Sequence, residues 1–488
     1  MFEDEHSSDR SLPETGIEVM LRFQWYFLGL AAVVGAGGNV AWARGILGSF
    51  GLLGPILVLA SRNSAERPPG RLGLPYALLM LPWWIGVASF LCGQANPIYE
   101  MHAGDKMQYW ELLPQPSAWV PVAGEFKTAA LGLLLSIGLY AAAVNAFLLA
   151  HNRLAFARSW VGFIWGAGLV GFIGVVQKIT GAREILWFIP VGNPAFFADF
   201  PHRAQWCAFA ILWMGAGLGL AAWLVRQRSW RWLNTDGWSL LVAAGALALS
   251  IACAGDPLYW LLGALVAAAG CLALGWQTWA ERRQQGPGLH AIVCFSVAAV
   301  FVLAAIGVTL QSGQGWIAYA GDHPGNAVHS RMLQDVIALC WQRPWFGWGT
   351  NSFGIVYSLF QQADLGLGYW AYARSDLLQS LFENGVIGTL AWCLPAVALG
   401  VRLFRTGLRS FLWAPFAGLL AVAALALVDF PFACPAVFFC FWLLLFGISR
   451  WTEVDDENHK SRSEDRRVIE RSRRAEAAVA AAPTGPVI

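Results

Sequence analysis

Long apolar runs separated by short polar segments dominate this 488-residue sequence. Runs of about 20 apolar residues are long enough to cross the hydrocarbon core of a bilayer as helices. The pattern predicts an all-α integral membrane protein with about twelve transmembrane helices. The predicted spans are residues 23–42, 46–61, 72–94, 127–150, 159–177, 205–225, 237–253, 257–279, 290–310, 377–401, 411–428 and 431–449.

Basic residues are concentrated in every second loop, and such loops face the cytoplasm in most membrane proteins. This predicts that both termini are cytoplasmic. Residues 1–22 then form a cytoplasmic segment, residues 23–450 the transmembrane domain, and residues 451–488 a charged tail that is disordered. The basic loops are residues 62–71, 153–158, 226–231, 282–283 and 402–409.

Three long segments fall on the opposite side of the membrane in this topology, the outside. They cover residues 95–126, 178–204 and 311–376, and the last of these forms a large loop between the ninth and tenth spans. Functional residues outside the membrane are expected in these segments, because they are the longest stretches that can fold there.

Composition limits the classes of protein that remain. The chain is 57% hydrophobic and 13% charged, which excludes an ordinary soluble domain. A net charge of +2 gives no reason to expect nucleic acid as a partner, and membrane lipids are the expected surroundings. The nine cysteines lie mostly in apolar runs without metal-ligand spacing, so no metal or other cofactor is predicted.

The large loop contains a predicted amphipathic helix at residues 323–343, with apolar residues at helical spacing. Arg331 lies near its start, where an arginine favours an anion such as a diphosphate. His329 precedes it by half a turn. The alternative is a structural helix at the membrane surface, with Arg331 extended towards lipid headgroups.

A turn follows this helix at Pro344, Gly347 and Gly349. Glycines allow backbone N–H groups to approach an anion closely, although they also occur in ordinary turns. Arg203, directly before the sixth span, is either a second phosphate-binding residue or a membrane anchor.

Charged residues also mark the start of the tenth span. Asp376 is placed either to cap this helix or to take part in chemistry. Glu383 lies two turns further along the same face, inside an apolar run, where a carboxylate is costly unless a polar partner faces it. Asp429, beside Pro431, shows a similar but weaker pattern.

Together these residues resemble the signature region of the O-antigen ligase and polymerase family, at about residues 290–445. The family's Pro-x-x-Gly-x-Gly-x-x-x-Phe motif falls on Pro344, Gly347, Gly349 and Phe353. Its second motif falls on Ser375, Asp376, Leu378, Gln379, Glu383, Gly385 and Gly388.

The resemblance implies a GT-C-like fold in the bacterial inner membrane and a role in lipopolysaccharide or surface polysaccharide biosynthesis. The donor would be a glycan on undecaprenyl diphosphate, and the acceptor a sugar hydroxyl on lipid A–core or another glycan. No metal or nucleotide sugar is implied. By matching position, Arg203 and Arg331 inherit the role of binding the donor diphosphate.

One position departs from the family pattern, because Arg374 stands where the family usually has a histidine. Arginine stays protonated and cannot act as a general base. Arg374 is then a third diphosphate contact, with Asp376, Glu383 or His329 accepting the proton, or the acceptor needs little help from a base. The third possibility is that the protein has lost the ligase reaction.

Other functions fit the same pattern. Ligase and polymerase share these motifs, so a polymerase of the same family is an alternative. Two further alternatives are a transporter of lipid-linked glycans and a non-catalytic member of the family.

Overall fold

The computed structural model describes residues 16–54, 56, 79–103, 108–114, 117–149, 153–187, 196–228, 237–281, 288–321, 324–361 and 370–454. The helices in these ranges dominate the structure, which confirms the all-α class of integral membrane protein. The helices are α1 Gly16–Val34, α2 Ala41–Gly51, α3 Leu81–Gln94, α4 Phe126–Leu149, α5 Arg153–Ile179, α6 Arg203–Arg228, α7 Trp238–Ala254, α8 Pro257–Glu281, α9 Leu289–Gly321, α10 Pro324–Gln342, α11 Phe353–Phe360, α12 Asp376–Thr406, α13 Trp413–Val428 and α14 Pro435–Val454. The strands are β1 Tyr99–Ala103 and β2 Gln108–Leu112, which pair antiparallel.

Nine helices within the described ranges are long and apolar enough to cross a membrane. They are α1, α4, α5, α6, α8, α9, α12, α13 and α14, and the apolar helix α7 is shorter. Two further predicted spans, residues 46–61 and 72–94, correspond in part to α2 and α3, and their residues 55, 57–61 and 72–78 lie outside the described residues. A multi-pass architecture is therefore shown, while the count of twelve stays a prediction.

The first helix differs from the predicted span at residues 23–42. It covers Gly16–Val34. The helix ends there because Ala36, Gly37 and Gly38 all have positive φ angles. Left-handed backbone conformations end an α-helix of L-residues. The resulting turn is packed against the start of α14, where the carbonyl of Gly37 accepts a hydrogen bond from the backbone N–H of Ala436.

Helix α6 lies at the centre of the bundle and packs against α5, α7, α8 and α13. Its most apolar stretch is buried throughout by these neighbours. Helix α9, in contrast, leaves most of its apolar side chains exposed, as expected of a helix at the lipid boundary. The first residue of α6, Arg203, is held in place because the rest of the helix is packed on every side.

A second, smaller apolar core lies at one end of the bundle. It joins Ile98, Tyr99 and Val122 to α10, to α11 and to the start of α12, and we call this end of the molecule the loop end. The predicted helix at residues 323–343 is confirmed as α10, which buries Met332, Val336 and Leu339. The helix α9 continues to Gly321, while its candidate membrane span covers Leu289–Gly307, so the loop boundary at residue 311 stays a prediction.

Candidate functional site

The two glycine motifs form one interlocked unit at the loop end. The turn at residues 344–353 docks against a break in α12 at residues 382–387, and we call these two segments the motif core. Four backbone hydrogen bonds join them: Trp348 N to Phe382 O (2.8 Å), Gly349 N to Glu383 O (2.9 Å), Val386 N to Pro344 O (2.8 Å) and Ile387 N to Trp345 O (3.2 Å). The sequence motifs are therefore two halves of the same structure.

Glycine is required in the motif core for two physical reasons. Gly347, Gly349 and Gly385 have φ angles of 67°, 99° and 62°, a region that L side chains rarely adopt. A Cβ atom at Gly385 would lie 2.3 Å from the carbonyl carbon of Trp345, and one at Gly347 would lie 2.4 Å from the carbonyl oxygen of Phe382. Only glycine lets the turn and the broken helix approach this closely.

The backbone N–H groups of the turn are used inside the protein. Gly347 donates to the carbonyl of Arg343, while Trp348 and Gly349 donate to the carbonyls of residues 382 and 383. Amides that already donate to carbonyl groups have little to offer an anion. The geometry thus favours an ordinary, tightly packed turn over an anion-binding turn at this position.

Glu383, on α12, connects the two segments of the motif core through its side chain. Its buried carboxylate accepts hydrogen bonds from the backbone N–H of Asn351 (2.9 Å), the backbone N–H of Phe353 (3.3 Å) and the side-chain amide of Gln379 (3.2 Å). These donors are the polar partners that a carboxylate in an apolar helix needs. The arrangement favours a positioning role for Glu383.

The start of α12 is tied to the segment that follows α13. Ser375, rather than Asp376, caps the helix, with its hydroxyl accepting from the backbone N–H of Leu378 (3.2 Å). One carboxylate oxygen of Asp376 accepts from the backbone N–H of Phe432 (2.6 Å), and its own N–H donates to the carbonyl of Asp429 (3.0 Å). Asp376 therefore fixes where the residues just before α12 lie.

An aromatic group stands beside this junction. The ring of Phe430 stacks on Tyr372, with ring centroids 5.4 Å apart, and meets the edge of the His202 ring at the same distance. Arg374 follows Tyr372 by two residues and has a left-handed backbone, with φ of 52°. It lies near enough to His202 and Asp429 to affect the pKa of both groups.

Three arginines belong to the segments that meet at this aromatic group, and we call Arg44, Arg203 and Arg374 the arginine cluster. Arg203 follows His202 directly and is exposed, as is Arg374. Arg44 comes from α2, where one terminal nitrogen of its guanidinium donates to the hydroxyl of Tyr372 (3.3 Å). Its Nε is buried and has no hydrogen-bond acceptor among the described residues.

Arg44 was not among the predicted site residues. Its signal in the sequence was a single charge between two apolar runs, which is also typical of a membrane anchor. Only the contact with Tyr372, more than 300 positions away in the chain, places it beside Arg374.

Burial changes the pKa of the acidic and imidazole groups at this junction. The pKa of His202 is lowered, first by burial and then by the charge of Arg374. The pKa of Asp429 is raised by burial, although hydrogen bonds from the Tyr259 hydroxyl (2.8 Å) and the backbone N–H of Phe430 oppose this effect. Both shifts favour the neutral form of the group concerned.

Asp199 is a further buried acid in the segment before α6. Burial raises its pKa to about 8, and neither carboxylate oxygen has a hydrogen-bond partner in the part of the chain described. A carboxyl group in such surroundings is held in its neutral form. Nothing in the sequence pattern indicated this burial.

Two of the predicted residues lie on α10. Arg331 is exposed on this helix, next to Met332, which the helix buries in the second apolar core. His329 lies on the same helix, but its side chain is outside the described part of the structure. Among the residues that are described, no group of three or more His, Cys, Asp or Glu side chains could hold a metal ion.

Fold and site together define a multi-pass α-helical membrane protein with a group of arginines at one end of its bundle. A model of the family described as O-Antigen ligase matches residues 261–393, a range that contains the motif core, Arg331 and Arg374. This match supports the O-antigen ligase/polymerase family for the chain, and with it a function of that type in polysaccharide biosynthesis. The search of curated proteins found no match.

Proposed function

We propose that this protein transfers a glycan from an undecaprenyl-diphosphate carrier to a sugar hydroxyl at the periplasmic face of the bacterial inner membrane. The arginine cluster is the observation that supports this most. None of its three guanidinium groups forms a salt bridge with a carboxylate among the described residues. Several cations without a paired carboxylate at one site favour a ligand that carries more than one negative charge, such as a diphosphate.

In this reaction the bond between the anomeric carbon and the diphosphate oxygen breaks, and the acceptor oxygen forms a new bond to that carbon. The electron pair of the broken bond leaves with the diphosphate, which gains negative charge. Arg44, Arg203 and Arg374, together with Arg331 from α10, bind this charge as it develops. Fixed cations placed where charge appears lower the barrier without needing a metal ion.

The two predicted carboxylates, Asp376 and Glu383, hold the segments next to the arginine cluster in position. Asp376 fixes the segment that carries Arg374, through its hydrogen bond to residue 432. Glu383 holds the motif core together. Each carboxylate already accepts hydrogen bonds from the protein, so both are assigned as positioning residues rather than as bases.

The orientation of the chain is part of this proposal. Arg44, Arg203 and Arg374 each lie at one end of a predicted span, and the basic loops predicted to be cytoplasmic lie at the other end. That distribution supports a periplasmic loop end and cytoplasmic termini.

The test measures lipid-linked glycan in cells that carry the wild-type protein, a deletion, or the substitution Arg203→Gln at matched protein level. Arg405→Gln is the matched control, because Arg405 is an exposed arginine in the last turn of α12. We expect donor to accumulate and the finished conjugate to disappear in the deletion and in Arg203→Gln, while the control resembles the wild type. Donor with a single repeat unit would indicate a polymerase, and donor with long chains a ligase.

A non-catalytic member of the family is the second candidate, and the specific observation that favours it is Arg374 at the family's histidine position. In that case the deletion leaves the donor pool and the conjugate unchanged. Normal conjugate in Arg203→Gln alone would contradict the role of the arginine cluster.

A further inference from the structure

Arg374 has a backbone conformation that an arginine seldom adopts, with φ of 52° in the left-handed region. This conformation costs energy in a residue with a Cβ atom, and it persists where neighbouring contacts hold it. On one side of Arg374, the ring of Tyr372 stacks on Phe430, with the ring planes 13° apart. On the other side, the hydroxyl of Ser375 donates to the carbonyl of Leu427 (3.0 Å). Contacts with the end of α13 and the residues after it therefore hold Arg374 on both sides.

These partners belong to residues 427–432, which we call the anchor segment. Two more hydrogen bonds join the anchor segment to the start of α12. The backbone N–H of Asp376 donates to the carbonyl of Asp429 (3.0 Å), and the backbone N–H of Phe432 donates to the carboxylate of Asp376 (2.6 Å). Four contacts thus connect the residues around Arg374 to the anchor segment, so a displacement of the anchor segment would also displace Arg374.

The anchor segment is in turn held by a tyrosine on α8. The hydroxyl of Tyr259 donates to one carboxylate oxygen of Asp429 (2.8 Å), and the other oxygen accepts from the backbone N–H of Phe430 (2.9 Å). Tyr259 lies in the first turn of α8, which Asp256 caps by accepting from the backbone N–H of Leu258 (3.2 Å). The position of the hydroxyl is therefore set by the bundle, and the hydroxyl fixes Asp429 relative to it.

The ring and the hydroxyl of Tyr259 have separate roles. The side chain is buried, and its ring packs in the main apolar core of the bundle. Phenylalanine would fill nearly the same space in that core. Only the hydroxyl makes the contact with Asp429, and a buried hydroxyl needs such a partner. The substitution Tyr259→Phe therefore removes the contact with the anchor segment and keeps the packing.

We propose that Tyr259 is a positioning residue for Arg374, an inference that rests on the diphosphate-binding role of the arginine cluster proposed above. The hydroxyl of Tyr259 holds the anchor segment through Asp429. The anchor segment holds Arg374 in the backbone conformation from which its exposed guanidinium binds the diphosphate. Because its side chain is buried, Tyr259 acts on the ligand through these contacts and does not touch it.

The test is a double-mutant cycle on binding of undecaprenyl diphosphate by the full-length protein in detergent micelles. Four proteins are compared: the wild type, Tyr259→Phe, Arg374→Gln and the double variant. We expect Tyr259→Phe to raise the Kd about fivefold when Arg374 is present and less than about twofold in the Arg374→Gln background. The effect should shrink because no guanidinium is left at position 374 for the tyrosine to position.

Tyr140→Phe is the matched control. Tyr140 is also a buried tyrosine on a membrane-spanning helix, α4, and its hydroxyl donates to the carbonyl of Leu79 (2.6 Å). Its substitution removes the same kind of hydrogen bond, and it should leave the Kd unchanged in both backgrounds. Equilibrium unfolding of each variant gives the folded fraction, so that every Kd refers to folded protein. A tyrosine that only stabilises the fold would lower this fraction equally in both backgrounds without changing the Kd.

An unchanged Kd in Tyr259→Phe, or an equal increase in both backgrounds, would overturn the positioning role. Glycan transfer by the wild type, measured on the same preparation, separates this outcome from failure of the proposed function. Wild-type protein that transfers glycan while the two substitutions act independently keeps the proposed function and loses the role of Tyr259. Coupled effects on the Kd in a protein that transfers no glycan would keep the role of Tyr259 and contradict the proposed function. Wild-type protein that does not bind the lipid would remove both.

Discussion

The motif core and the arginine cluster lie at the same end of the molecule and differ in almost every physical respect. The motif core is held by backbone hydrogen bonds between two glycine turns, and Glu383 satisfies the N–H groups beside them. The arginine cluster consists of cations that form no salt bridge with a carboxylate among the described residues, although the charge of Arg374 acts on Asp429. Arg374 also has a left-handed backbone. The most recognisable part of the sequence is thus a scaffold, while the groups suited to bind a ligand are dispersed along the chain.

The largest expected effect comes from breaking the scaffold at its closest approach. Gly385→Ala should lower the free energy of unfolding by about 4 kcal/mol or more, because its Cβ would overlap the backbone of Trp345 and its φ is positive. Gly400→Ala lies in the same helix with open space around it and should be neutral or slightly stabilising. Equilibrium unfolding in detergent micelles measures both, and equal stability of the two variants would refute the interlocked motif core.

A smaller loss is expected when the charge of Glu383 is removed. Glu383→Gln places an amide N–H₂ group against backbone N–H donors and should cost about 2–3 kcal/mol of stability. Glu125→Gln, at an exposed carboxylate before α4, should change the stability by less than about 0.5 kcal/mol. Loss of transfer activity with unchanged stability in Glu383→Gln would instead indicate a catalytic carboxylate.

A third prediction concerns Asp199, whose burial should make the stability of the protein depend on pH. The pKa of Asp199 in the folded protein is about 8, above the ordinary value of 3.8. The neutral carboxyl group therefore stabilises the folded state fully below about pH 4, and this stabilisation is lost as the pH rises towards 8. Between pH 5.5 and pH 7.5 the wild type should therefore lose about 2 kcal/mol relative to Asp199→Asn. Parallel stability curves for the two proteins would show that the carboxyl group is not held neutral.

The smallest effect on stability is expected in the arginine cluster. Arg374→Gln and Arg203→Gln should change the free energy of unfolding by less than about 0.5 kcal/mol, because neither exposed side chain makes a hydrogen bond within the described part of the protein. Both variants should nevertheless weaken binding of undecaprenyl diphosphate about tenfold or more. A marked loss of stability would assign these arginines to the scaffold and remove the contrast between the two regions.

Prediction from the sequence succeeded where the signal is local. Apolar runs indicated the membrane class, and helical spacing indicated α10, because both depend on residues a few positions apart. The first helix was misplaced because its end is set by the backbone angles of Ala36 and its two following glycines, which hydropathy does not report.

The sequence by itself determined the class of membrane protein, the approximate positions of most spans and the two glycine motifs that resemble a known family. It also determined that glycine and charge occur together near residues 344–388. Only the tertiary structure decided what these residues do for one another. Docking of the turn into the break of α12 uses the amides that could have bound an anion, and long-range packing brings Arg44, His202 and Arg374 around Phe430. Such contacts depend on how distant helices pack, which no local pattern of residues records.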